Sequence, residues 1–459
     1  MATSYQDAPE RSMRRVALTA LAGTSIEWFD FFIYGMAAAL VFPAAFFPED
    51  MPELVSLIAA FGTFAVGFIA RPIGGMIFGH FGDRIGRKAT LVSALMLMGV
   101  ATTLIGVLPT YASIGIAAPL LLTLLRFAQG LAVGGQWGGA MLLVTENAPA
   151  NRRGYYGAFA QAGAPVGMIL ANLAFLGVSA VISDQQFQDW GWRIPFLASI
   201  VLIGLSMYVQ LHLEETPAFK ELQDFQAKHS TESGADVAAT EQGEAPAPAK
   251  PRLRDSPVLQ AIASHPRQIL LAAGAFIAVQ VTFYILVVFV VAYGTQSSGL
   301  NLPREFLLTA ILISSFVQIA ANFGAAIYSD RSGRRGIYMA GAILGGIWAF
   351  ALFPLIDTGS FLWITVAISV AQIFMALMYG PQAALLAELF STHVRYSGAS
   401  LGYQLGAILG GALAPMIATA LWHQFGVFYV AVYIAVASVL TLISVIMLSE
   451  TSGRNLQET

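Results

Sequence analysis

Four ionisable side chains stand inside long apolar stretches of this 459-residue chain: Glu27, Asp30, Arg71 and Arg126. A charge in an apolar medium is costly, so charges kept there are candidates for function. The chemistry they offer is proton exchange on the carboxylates and anion binding by the guanidiniums. Glu27, Asp30 and Tyr34, at i, i+3 and i+7, share one helix face. On another helix Arg126, Gln129, Val133 and Gln136 gather on one side, next to Gly130, Gly134 and Gly138, a strip of small residues expected to admit a neighbouring helix closely. Arg126 falls about 18 Å into its helix at the helical rise. Opposite charges near mid-helix relieve each other's desolvation, which predicts an Asp30–Arg126 pair, either functional or a static pair that only orders the bundle. Arg71, upstream of Asp83, is left between pairing with Glu27, contacting a ligand and bracing the structure.

Other chemistries are missing. The chain has no cysteine, and His80, His212, His229, His265, His393 and His423 show no metal spacing, so neither a metal site nor thiol chemistry is expected. No GxxxxGK[ST] loop, HExxH pair or Ser-His-Asp ordering points to an ATP-driven pump or an enzyme. A net charge of −3 offers no basic face for nucleic acid.

The elements that must position these residues follow from composition. Residues are 57% hydrophobic and 11% charged, against about a quarter charged in a soluble domain. Apolar runs of spanning length are expected near 16–47, 54–81, 89–108, 114–143, 155–182 and 192–213, then 268–293, 306–329, 336–355, 361–389, 397–422 and 427–449. The first lacks a cleavage pattern and is read as a retained span. The fold class is therefore an all-α membrane protein of twelve transmembrane helices. With the N-terminus inside, the inner loops carry Arg11, Arg14, Arg15, Arg84, Arg87, Lys88, Arg152, Arg153, Arg331, Arg334, Arg335 and Arg395, and the outer loops only Arg193 and Arg304. That bias places both termini in the cytoplasm. Residues 214–265 are rich in Ala, Pro, Glu and Ser and read as a largely disordered linker, with a short amphipathic helix at 218–228.

The chain also repeats itself. GHFGDRIGRK at 79–88 returns as AIYSDRSGRR at 326–335, with Asp330, Arg331, Gly333, Arg334 and Arg335 in the places of Asp83, Arg84, Gly86, Arg87 and Lys88; the second copy lacks Gly79. In the fifth span of each half Gln161, Gly163 and Gly167 match Gln404, Gly406 and Gly410. Before each, an acid and then arginine close the fourth span: Glu146 with Arg152 and Arg153, Glu388 with Arg395. The same order in both halves indicates a six-plus-six duplication. The expected layout is an N-terminal tail at 1–15, six-helix domains at 16–213 and 266–449, the linker at 214–265 and a tail at 450–459.

EWFDFFIYG at 27–35, GHFGDRIGRK and RFAQGLAVGGQWGGAMLLVTENAPANRRG at 126–154 resemble the major facilitator superfamily, specifically its metabolite:proton symporter branch. Within the branch, FGTFAVGFIARPIGGMIFGHFGDR and DWGWRIPFLASI look most like the shikimate and dehydroshikimate permeases. Relatives also carry α-ketoglutarate, citrate, proline or betaine. The resemblance implies two pseudo-symmetric six-helix domains around one cavity, alternating access, a bacterial inner-membrane location, a lipid environment, a monomer, and protons as the coupling ion with no other cofactor.

It also supports roles. Asp30, with Glu27, becomes the proton acceptor and Arg126 its switchable partner, free for a substrate carboxylate when Asp30 is protonated. The branch usually has glutamate at Gln136, which cannot titrate. Either the proton site rests on Asp30 and Glu27 or coupling differs, leaving a passive facilitator or exchanger as the alternative. The substrate set is completed by Arg71, Tyr34, Gln129, Gln161, Gln280, Tyr284, Tyr403 and Gln404. Thr282, Tyr293, Gln318, Asn322, Gln372, Tyr379 and Gln382 add further polar groups to the second half, and many are expected to satisfy one another across helices. One principal arginine with many amides and phenols fits a hydroxylated monocarboxylate better than a di- or tricarboxylate. The repeated loops, with Glu146 and Glu388, are expected to form a cytoplasmic gate, Asp83 near a helix N-terminus of the other half and Arg84, Arg87 and Glu146 exchanging charge contacts.

Overall fold

The computed structural model describes residues 10–85, 87–134, 141, 144–145, 148–212, 262, 264–390 and 395–451. The side chains of 79–91, Gln136, Glu146 and the 218–228 helix lie outside the described residues, so the first gate loop is traced only by the helices that flank it.

Six long helices form the first half: α1 (Glu10–Leu40), α2 (Glu53–Ile85), α3 (Arg87–Val107), α4 (Ala117–Gly134), α5 (Arg153–Ser179) and α6 (Arg193–His212). The second half has α7 (Pro266–Tyr284, continued to Thr295), α8 (Arg304–Ser332), α9 (Arg334–Ile356), α10 (Phe361–Leu389), α11 (Arg395–Gly406, continued to Phe425) and α12 (Phe428–Met447). Among the described residues ten of these positions are long and apolar enough to cross a membrane; α3 contributes the shorter apolar stretch Val92–Val107, and α6 holds the remaining place. The expected first span is divided, because the chain breaks at Val41 and restarts over Phe42–Phe46 with Pro43 in its first turn.

The duplication is visible in the packing. In the first half α1 packs on α5, α2 on α4 and α3 on α6; in the second the same three pairings recur as α7 on α11, α8 on α10 and α9 on α12. The matched glycines explain the first pairing. A Cβ at Gly163 would collide with the Thr24 side chain, and one at Gly167 would lie 2.7 Å from the Trp28 Cβ, both on α1. Gly406 and Gly410 stand in the same way against Phe276 and Gln280 of α7, at 2.6 and 2.9 Å. The halves then meet where α5 packs on α8 and α10, and where α2 packs on α11.

Candidate functional site

Arg71 and Arg126 come together because α2 and α4 touch backbone to backbone. A Cβ on Gly130 would strike the Gly67 carbonyl, on Gly134 the Arg71 carbonyl, and on Gly74 the Leu131 carbonyl. The small strip expected on α4 is thus real for Gly130 and Gly134, and α2 answers it with glycines of its own. Gly67 also makes room for Arg126 itself, since a Cβ there would stand 2.6 Å from the Arg126 Nε.

Both guanidiniums are buried among rings. Arg126 lies over Tyr34 (4.2 Å to the ring centre), Phe31 (4.4 Å) and Phe64 (4.9 Å). Arg71 lies over Phe68 (4.4 Å) and Phe31 (4.7 Å), with Trp28 at 6.0 Å. Arg126 Nη1 donates to Gln129 Oε1 at 3.0 Å, and Gln129 Nε2 donates to the Thr102 hydroxyl at 2.7 Å. Tyr34 donates to Thr63 at 2.7 Å.

The expected Asp30–Arg126 pair is not a direct contact. Arg126 keeps Nε and Nη2 without hydrogen-bond partners, and both Asp30 oxygens are likewise unpartnered although the residue is buried. The rings of Phe31, Tyr34 and Phe64 and the Gln129 amide hold the guanidinium, while the polar groups acting on Asp30 are Ser199 of α6 and Glu27. Asp30 and Arg126 nevertheless line one small cavity, with Phe31, Arg71, Gln129 and Val133. It offers about 10 Å³ of water-accessible space, room for about one water molecule. Arg71 belongs to this centre; its field reaches Glu27 on one side and Tyr284 and Tyr403 on the other.

The second half reaches the same centre through α7. Tyr284 packs against Phe68 (5.1 Å), Phe31 and Phe64 (both 5.8 Å), and its hydroxyl has no partner. Gln280 adjoins Tyr403, and Gln404 Oε1 is unpartnered. Gln161 is committed across the interface, its Nε2 donating to the Tyr379 carbonyl and to Gln382 Oε1, both at 3.1 Å. The remaining amides do not satisfy one another as expected: Gln318, Asn322 and Gln372 are buried with neither amide atom paired.

At the end of the bundle nearest the chain termini, Asp330 accepts from the backbone N–H groups of Gly154 (2.8 Å) and Tyr155 (2.9 Å), in the first turn of α5 from the other half. Arg334 donates to Asp330 at 2.6 Å and to Glu388 at 3.2 Å, and Arg153 stands 3.9 Å from Glu388. Arg331 is exposed. Arg335 turns away from the interface and braces α12 through the carbonyls of Val445 and Ile446. Glu450 accepts from the N–H groups of Arg334 and Arg335 at 3.0 Å, and Thr451 donates to Glu388 at 3.0 Å. At the opposite end Arg304 of α8 crosses to the first half: Nε donates to the Ser179 hydroxyl at 3.0 Å, Nη2 lies 2.8 Å from Asp184, and Cζ sits 3.9 Å over the Phe187 ring.

The aromatic surroundings of the arginines were not singled out from the sequence, although a signal was there. Phe61, Phe64, Phe68 and Arg71 fall at i, i+3, i+7 and i+10, an aromatic stripe that ends in a cation. Nothing comparable marks Arg304, Glu450 or Thr451, whose partners are distant in sequence.

Comparison with known proteins agrees with this architecture. The family model "Sugar (and other) transporter" matches residues 16–459. The chain is 41% identical over 456 residues to the inner membrane metabolite transport protein YhjE of Escherichia coli (strain K12), covering 98% of this chain and 97% of that one. It is 40% identical over 426 residues to the shikimate transporter of the same organism, covering 91% of each. A partially occluded inward-open structure of the xylose transporter XylE from E. coli superposes with a TM-score of 0.71 at 17% identity, over 97% of this chain and 99% of that one. The twelve helices, their duplicated packing and these likenesses lead to one conclusion: the chain belongs to the sugar (and other) transporter family of the major facilitator superfamily, as a multi-pass membrane transporter of small-molecule metabolites.

Proposed function

We propose that this protein is a proton-coupled symporter that imports a small organic acid by alternating access, with a hydroxylated monocarboxylate such as shikimate as its substrate. One observation carries the reading: a buried carboxylate with both oxygens unpartnered, Asp30, shares a cavity with Arg126, a buried guanidinium that has no carboxylate partner among the described residues. An ionised Asp30 offsets the two cations. Protonation removes that charge, and the site then favours an incoming carboxylate on the free Nε and Nη2 of Arg126. The unpaired amides and the Tyr284 hydroxyl are suited to a neutral hydroxylated body, and the 40% identity to a shikimate transporter supports the same class. Arg71 stays on the ring box and acts on Glu27. Protons are the coupling ion; no other cofactor enters.

The positive-inside bias supports an inner-membrane orientation with both termini cytoplasmic, and the repeat supports two domains, 16–213 and 266–449, joined by 214–265, working as a monomer. Asp330, Arg334, Glu388 and Arg153 are then the inner gate.

The test is uptake into proteoliposomes under an imposed pH gradient, run against shikimate, quinate, α-ketoglutarate, citrate and betaine. Accumulation of shikimate above its equilibrium level supports the reading. Equilibration without accumulation favours a passive facilitator, the reading that Gln136 leaves open. Asp30→Asn is expected to lose gradient-driven accumulation and keep substrate exchange; undiminished accumulation in that variant overturns the role of Asp30.

A further inference from the structure

Phe31 follows Asp30 directly in α1 and is buried, and among the described residues it is the one ring that carries two guanidiniums: Arg71 Cζ at 4.7 Å and Arg126 Cζ at 4.4 Å from its centre. Each arginine has a second ring of its own, Phe68 for Arg71 at 4.4 Å and Tyr34 for Arg126 at 4.2 Å. Phe31 and Phe68 are themselves 5.2 Å apart, so Arg71 lies against the pair of rings and Phe31 is the ring the two cations share.

Two guanidiniums in an apolar interior repel, and once Asp30 is protonated its charge no longer offsets theirs. An aliphatic side chain at position 31 would fill the space but offer no attraction to either. The negative face of a benzene ring attracts both, and most strongly where water is excluded. The ring itself is fixed by Trp28 (5.5 Å), Phe64 (5.0 Å), Phe68 (5.2 Å) and Tyr284 (5.8 Å), the last from the other half.

We propose that Phe31 is the positioning residue of the anion site: its ring holds Arg126 with Nε and Nη2 unspent, and keeps Arg71 on the side of Phe68 and Glu27. Arg71 lines the same cavity, and the affinity of the site for a carboxylate depends on the electron density of the Phe31 ring that both guanidiniums share. This rests on the reading of Arg126 as the carboxylate-binding group.

Fluorination tests it, because fluorine withdraws the ring's face charge with little change in shape. Phenylalanine at position 31 is replaced by its 4-fluoro, 3,5-difluoro and 3,4,5-trifluoro forms, and KM is measured in proteoliposomes with whichever of shikimate, α-ketoglutarate, citrate and betaine the unmodified protein accumulates. KM is expected to rise stepwise with fluorine number while the maximal rate changes less. Phe31→Leu is expected to raise KM about tenfold, the order of one desolvated cation–π contact. The same series at Phe32, which stacks on Trp28 at 5.2 Å and has no guanidinium over it among the described residues, is expected to leave KM flat. A flat series at Phe31, or equal slopes at 31 and 32, overturns the proposal even if Phe31→Leu fails to fold. Arg126→Gln separates the two failures. If that variant keeps its affinity the anion-site reading is wrong, and if it loses affinity while the Phe31 series is flat, only the role of Phe31 is wrong.

Discussion

A missing side chain does as much for Arg126 as any partner. A Cβ at Gly67 would stand 2.6 Å from Nε and 3.1 Å from Cζ, so the guanidinium occupies the volume a side chain would need. Gly67→Ala is expected to tilt Arg126 off its rings and raise KM for a carboxylate about tenfold, with the proton-driven step kept; uptake kinetics at varied substrate concentration check it. Helix-face arithmetic identified the residues of this centre but not their partners. It put Glu27, Asp30 and Tyr34 on one face and Arg126 with Gln129 on another; Asp30, Arg126 and Gln129 line one cavity and Tyr34 lies under Arg126. It could not tell that Tyr34 rather than Asp30 lies under Arg126, because 100° steps give a direction around one helix and not the depth or tilt of the next. Ring stacking on arginine leaves a weaker mark in sequence than charge does, so Phe31 went unread while Asp30 beside it did not.

At the scale of the helix, the repeat was legible because close packing demands glycine at fixed offsets. The matched glycines of α5 and α11 face α1 and α7 at the same relative positions, and the α2–α4 crossing depends on Gly74, Gly130 and Gly134. What the sequence did not disclose is the local geometry. Wide π turns interrupt α7 at Ile285–Phe289, just after Tyr284, and α11 at Ala407–Ala412, just after Gln404. Such turns mark strain at functional places and leave no simple residue pattern. Here they let Gly411 and Phe68 meet the Tyr284 ring, at 2.7 Å from the glycine's ideal Cβ to the ring and 3.0 Å to Phe68. The packing account makes a contrast of one substitution at two sites. Gly134→Ala is expected to destabilise by about 1–3 kcal/mol through overpacking. Gly177→Ala, where nothing lies within 4 Å, is expected to stabilise by up to about 1 kcal/mol through helix propensity. Apparent melting temperatures in detergent should move in opposite directions, and a fall of the same size at both sites would contradict the crossing.

The two halves are fastened to each other at both ends, while the small cavity that Asp30 and Arg126 line lies within the first half, among α1 to α4, with room for about one water. The proposed alternating access requires that each fastening open in turn. The two differ in chemistry. At the terminal end Asp330 completes the N-terminus of α5, a contact of the kind worth about 1–2 kcal/mol when partly buried. At the far end the Arg304–Asp184 pair is weak because Asp184 is 88% exposed. The hold there comes from the Phe187 ring and the Ser179 hydroxyl, where Arg304 is itself only 10% exposed. Loss of either fastening should shift the balance of open forms about five- to thirtyfold, each towards its own side. The chain has no cysteine, so a single one placed in the cavity wall, Val133→Cys, reports access without background. Its labelling by a membrane-impermeant maleimide can be followed in right-side-out and inside-out vesicles. Arg304→Ala is expected to speed labelling from the outer face, and Asp330→Asn from the cytoplasmic face. If both variants speed labelling from the same face, or neither changes it, these contacts are not the gates, and the closure at the two ends must be ascribed to the α5–α8 and α2–α11 packing alone.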